Sequence, residues 1–147
     1  MRDLPRQLSA DELAELFEGR TRLVELLAQR EDPLGPTADA AIDELSEAEQ
    51  LEALAAHPAI GARSGLSARS AAEQGADDDP EVLAELARLN SVYEERFGFR
   101  FVVFVNRRPK AEIAEVLRRR LERPREEELD TALHELVAIA RDRWERS

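Results

Sequence analysis

Two histidines, His57 and His134, are the side chains of this chain best suited to proton transfer near neutral pH. His57 is followed by Pro58, and a proline disfavours the helical conformation in the residue before it. His57 is therefore expected at a helix end, in extended or turn geometry, ahead of a loop containing Gly61 and Gly65. His134 sits in a helical pattern beside Glu135 and reads as a surface or half-buried helical residue. Downstream of His57, Ser70, Glu73 and Gln74 have the spacing that puts residues on one face of a helix. They group a hydroxyl, a carboxylate and an amide. A histidine with a carboxylate partner is an acid/base pair, because the carboxylate holds one tautomer and favours the charged imidazole. Taken locally, the bland readings are favoured: His57 as a helix stop, and Ser70 with Glu73 as a capping box.

Other chemistries lack their residues. The chain has no cysteine, so thiolate nucleophiles, thiolate metal sites and disulfides are excluded. Two distant histidines without an H-x-x-H or H-E-x-x-H pattern make a poor zinc site. No G-x-S-x-G and no glycine-rich phosphate loop occurs. The net charge of −11 argues against a nucleic-acid surface, and the one basic run, Arg118-Arg119-Arg120, is followed by acids. No apolar run approaches a membrane span, and neither terminus carries a targeting pattern. A cytoplasmic protein with a small-molecule partner, no nucleic acid and no membrane is expected.

These residues need elements to hold them, and the elements read as helices. Leu, Ala, Glu and Arg dominate a composition that is 43% hydrophobic and 36% charged. Ser9-Ala10-Asp11-Glu12 and Ser46-Glu47-Ala48-Glu49 are capping boxes, each opening an amphipathic helix. A helical pattern runs from Leu23 towards Arg30, and Thr37 is expected to cap a short helix through Ile42. Ser67 or Ser70 is expected to start a short helix that ends near Gly75. Asp77-Asp78-Asp79-Pro80 supplies a cap and a first-turn proline for a helix ending at Phe97-Gly98. Pro109 opens a helix through Leu121, and Pro124 separates it from a last helix bearing Leu129 to Ile139. Phe99 to Val105 is the only β-like stretch. One strand cannot make a sheet, so it is expected to be an extended segment among helices. The fold class is all-α: a single domain over 1–147, with about seven to eight helices and one extended segment near 99–105.

Three ordered blocks carry a family likeness: His57-Pro58-Ala59-Ile60-Gly61, then Ser70-x-x-Glu73-Gln74-Gly75, then Leu89-Asn90-x-x-Tyr93-x-x-x-Phe97-Gly98-Phe99-x-Phe101. Together they resemble the OHCU decarboxylase family, named for 2-oxo-4-hydroxy-4-carboxy-5-ureidoimidazoline. The resemblance extends to Phe17-Glu18-Gly19 and to Ile139-Ala140-Arg141-Asp142-Arg143, so it spans nearly the whole chain. The chain departs from the pattern at Thr21–Glu25, which lacks a tryptophan, and at Trp144, where an aliphatic residue is usual.

The resemblance implies an all-helical, cofactor-free carboxy-lyase that yields (S)-allantoin in the breakdown of urate. It implies His57 as the catalytic acid/base and Glu73 as its partner. Pro58, Ser70 and Gln74 would line the substrate site. An arginine of the last helix would contact the substrate, with Arg143 favoured over Arg141. Backbone groups of the Phe99–Val103 stretch, at Phe101 and Val103, would meet the substrate ring. A homodimer is left open. Two other readings compete: a non-enzymatic acidic helical interaction module, and a hydrolase of a related ureide, which would need an activated water and usually a metal.

Overall fold

Caps and prolines set the helix boundaries. The structure, a computed structural model, describes residues 3–58 and 79–146. Among these residues there are seven helices and no strand: α1 (Ala10–Phe17), α2 (Arg22–Ala28), α3 (Thr37–Glu44), α4 (Glu47–Ala55), α5 (Pro80–Phe97), α6 (Lys110–Arg120) and α7 (Arg125–Arg146). Both capping boxes form: Ser9 accepts from the Glu12 amide and Ser46 from that of Glu49, while each glutamate reaches back to the cap. Asp79 caps α5 with Pro80 in its first turn, and Gly98 ends it at φ 79°, a left-handed stop that glycine adopts without cost. Thr37 differs from expectation. It is the first residue of α3, whose N-cap is Pro36, so no side chain caps that helix.

The chain divides into two compact units, residues 1–57 with 133–147, and residues 58–132. In the first unit α2 packs against α1, α3 and α4. Its Leu23, Val24 and Leu27 are fully buried, as are Leu13 of α1 and Leu54 of α4. The C-terminal half of α7 belongs to this unit and buries Leu133, Leu136, Val137, Ile139 and Ala140. Its spacing of three and four residues is that of one helix face.

In the second unit α5 packs on α6. Residues 99–105 form neither helix nor ladder, and Phe101, Val102, Val103 and Val105 are buried. A buried backbone must still satisfy its carbonyls. The solution is ionic. Arg120 donates from Nη1 to the Val102 carbonyl at 2.8 Å and from Nε to Glu128 at 2.7 Å. Glu128 is wholly buried, and also accepts from the Tyr93 hydroxyl at 2.6 Å and from Arg123 at 2.9 Å. The Arg120 guanidinium lies 4.6 Å from the centre of the Phe101 ring. The Tyr93 ring meets those of Phe97, Phe99 and Phe101 at 4.6, 5.8 and 5.2 Å. Burial, and then the bond to Glu128, push the Tyr93 phenol well above its usual range, so it remains a donor.

Removing one partner from such a network strands the others. Glu128→Ala is expected to lower the unfolding free energy by about 3–5 kcal/mol, because Arg120 loses its buried counter-charge. Tyr93→Phe, which removes one neutral donor, is expected to cost about 1 kcal/mol. Urea denaturation followed by circular dichroism measures both; equal costs would show that the ionic part carries no special weight.

Candidate active site

His57 follows the last turn of α4 and is buried, 8% exposed, with its amide donating to the Leu54 carbonyl at 3.2 Å. Its turn geometry agrees with the expectation drawn from Pro58, which is half-buried. A buried imidazole at a helix end, ahead of a break in the helix, is held by backbone and packing together.

The turn between α1 and α2 runs along the end of α4. A methyl group placed on Gly19 would lie 3.2 Å from the Cβ of Ala56, the residue before His57. The Arg22 amide donates to Glu52 of α4 at 2.9 Å, and its side chain lies 3.8 Å from Glu49. Glycine at position 19 thus permits the close approach that packs this turn beside His57.

Arg143 enters the same turn from α7. It is 2% exposed, and its Nη1 donates to the Leu16 carbonyl at 2.8 Å and to Glu18 at 3.0 Å. The Leu16 carbonyl belongs to the last turn of α1, where helical carbonyls lack intrahelical donors. That turn has no basic residue of its own, so Arg143 supplies the cation that favours a helix C-terminus. Glu18 ends α1 at φ 67°, a left-handed conformation that costs a non-glycine residue about 1 kcal/mol.

Arg141, the second arginine considered, donates to the Leu34 carbonyl at 2.7 Å. His134 is exposed and lies 3.3 Å from Asp39 of α3, in keeping with a surface role. Within the first unit the structure therefore brings together the His57 turn, the Glu18–Gly19 turn and Arg143. Phe101 and Val103 are buried in the second unit. Ser70, Glu73 and Gln74, with the expected helix that carries them, lie outside the described residues. Among the described residues no group of three or more His, Cys, Asp or Glu could hold a metal ion. No described helix is long and apolar enough to cross a membrane.

No motif in the sequence marks Glu18 as a site residue. The signal available was its position: a charged residue between a buried phenylalanine and a glycine, at a helix end where glycine alone would suffice. Arg143 could have been identified as buried from helical spacing, since it continues the face of Ala132, Leu136 and Ala140.

Comparison with known proteins places this all-helical chain among carboxy-lyases. A family model described as OHCU decarboxylase matches residues 2–145. The 2-oxo-4-hydroxy-4-carboxy-5-ureidoimidazoline decarboxylase of Haloferax volcanii is 34% identical over 113 residues, 74% of this chain and 67% of that protein. The enzyme of the same name from Halalkalicoccus jeotgali is 34% identical over 108 residues, 71% of this chain and 61% of that protein. The matches thus span about two thirds of the length of these relatives. A crystal structure of an OHCU decarboxylase in the presence of (S)-allantoin superposes with a TM-score of 0.69 at 26% identity, covering 90% of this chain and 94% of the other. The chain belongs to the OHCU decarboxylase family. That membership selects the enzyme over the interaction module.

The fit between Gly19 and Ala56 can be tested directly. Gly19→Val is expected to destabilise the protein by about 1–3 kcal/mol, the usual cost of overpacking. It should also displace the His57 ring resonances in ¹H–¹³C spectra. Unchanged His57 shifts would show that the two turns are not in register.

Proposed function

We propose that this chain decarboxylates 2-oxo-4-hydroxy-4-carboxy-5-ureidoimidazoline to (S)-allantoin in the degradation of uric acid, with His57 as acid/base and Glu73 as its partner. The family match over 2–145 carries the reading, and it runs unbroken across both units, which supports treating 1–147 as one catalytic domain. Burial of His57, beside a turn that also receives Arg143, supports its role.

The substrate explains why so little machinery is needed. Its carboxylate sits on a carbon adjacent to an imine. When the bond to CO2 breaks, its electron pair moves into the C=N unit, and the nitrogen takes up a proton. The resulting enol collapses by returning a proton to the ring carbon and releasing the one on its hydroxyl. The substrate is its own electron sink, so the reading calls for no cofactor. The protein supplies orientation and proton transfer. His57 moves the proton at the hydroxyl or ring, and Glu73 holds the imidazole in one tautomer and stabilises its charged form. Arg143 donates to polar oxygens of the ureido-imidazoline, and Pro58, Ser70, Gln74 and the backbone at Phe101 and Val103 complete the substrate contacts. Protonation from one face then gives a single enantiomer.

A cytoplasmic setting is part of the proposal and rests on the cysteine-free composition. A homodimer is the assembly that light scattering would test.

The experiment generates the substrate in situ from urate and follows (S)-allantoin by circular dichroism. The wild-type protein should accelerate its appearance. His57→Ala and Glu73→Ala should lower the rate by about 10²–10⁴-fold, the usual weight of general acid–base catalysis. Either variant working at the wild-type rate would remove that residue from the mechanism.

A further inference from the structure

We infer that Glu18 is a positioning residue for this reaction and acts through the guanidinium of Arg143. The inference rests on the reading of Arg143 as the arginine that meets the substrate. Three observations carry it. First, the pair is shielded from solvent: the Arg143 side chain is buried, 1% exposed, and that of Glu18 is only 12% exposed. Secondly, a single nitrogen of Arg143 is held by two acceptors from the C-terminal turn of α1, the Leu16 carbonyl at 2.8 Å and Glu18 at 3.0 Å. Two acceptors on one nitrogen fix the direction of a planar guanidinium. Thirdly, Glu18 occupies a left-handed conformation, φ 67°, where glycine would be at ease, so the position retains a side chain against its backbone preference. The next residue, Gly19, packs against Ala56 beside His57. One turn therefore fixes the orientation of the arginine and abuts the residue before the histidine.

The carboxylate also sets what Arg143 is suited to recognise. An uncompensated guanidinium would grip the substrate carboxylate, the group that must leave. That stabilises the ground state more than the transition state and slows CO2 loss. With its charge balanced by Glu18, Arg143 is suited instead to the neutral oxygens of the ureido group and ring.

The test is a double-mutant cycle on the full chain, with Glu18→Gln, Arg143→Lys and the double variant. Far-UV circular dichroism and urea titration establish that each is folded. Glu18→Gln is nearly isosteric, and Arg143→Lys keeps the buried cation. Rates of (S)-allantoin formation are then compared. Glu18→Gln should lower kcat/KM by about ten- to a hundredfold, the scale of loss from misplacing a substrate contact by about 1 Å. Arg143→Lys should lose at least as much, and the double variant should be no worse than Arg143→Lys alone. Calorimetric binding of (S)-allantoin should show the same non-additivity, and it serves where turnover is too slow to measure. A merely structural pair would shift the urea midpoint and leave the rate of the folded protein unchanged, which would overturn the inference. Equal losses from Glu18→Gln in both backgrounds would overturn it as well. Arg143→Lys at the wild-type rate would instead refute the reading of Arg143, and the role of Glu18 with it.

Discussion

A carboxylate with no exposure to water, Glu128, anchors a buried segment, residues 99–105, that is neither helix nor strand. Burying a lone carboxylate in an apolar interior is prohibitively costly, so the group must be met by donors. Here Tyr93, Arg120 and Arg123 meet it from three directions. Arg120 in turn spends another N–H on the Val102 carbonyl. The segment 99–105 can then lie buried with no sheet to receive it. The aromatic cluster of Tyr93, Phe97, Phe99 and Phe101 packs around the same network. Remove the carboxylate, and Arg120, which also holds the Val102 carbonyl, loses its buried counter-charge.

The buried face of α7 repeats this logic at its other end. It starts with Glu128, passes through Ala132, Leu136 and Ala140, and finishes at Arg143. An acid near the N-terminus and a base near the C-terminus both complement the helix dipole. Each is also satisfied tertiarily, Glu128 by arginines and a phenol, Arg143 by Glu18 and a carbonyl. Each of these two buried charges is thereby fixed in direction within its own unit. A solvated arginine would sample many rotamers; Arg143 has been relieved of that freedom before any substrate arrives.

How much of this could be read from the sequence depends on the range of the interactions. Capping boxes at Ser9 and Ser46, the cap at Asp79 and the glycine stop at Gly98 are set by neighbours within four residues, and they appear as expected. The break at His57-Pro58 is equally local. The buried charges are not. Arg118-Arg119-Arg120 and Glu126-Glu127-Glu128 look like solvated runs, yet helical geometry turns the last member of each inward while its neighbours remain outside or partly exposed. Only the phase of the apolar face on α7 gives a hint. Glu18 is harder still, because its partner lies 125 positions away and its own surroundings suggest nothing more than a helix end. The proposed roles of Glu73, Ser70 and Gln74 rest on the ordered motifs, which is a different kind of warrant from geometry.

The order of residues in the turn after α1 shows how conformation and chemistry divide the work. Backbone preference alone would put the glycine at 18, where φ is positive, and a side chain at 19. The chain has the reverse. Position 19 cannot take a larger residue without pressing on Ala56, so glycine there serves packing. Position 18 is the one from which a carboxylate meets the buried guanidinium, so a glutamate stands there despite the strain. A residue held in an unfavourable conformation persists only where its surroundings over-determine it. The ion pair does so here, and it does so in the turn that packs against the end of the helix leading to His57.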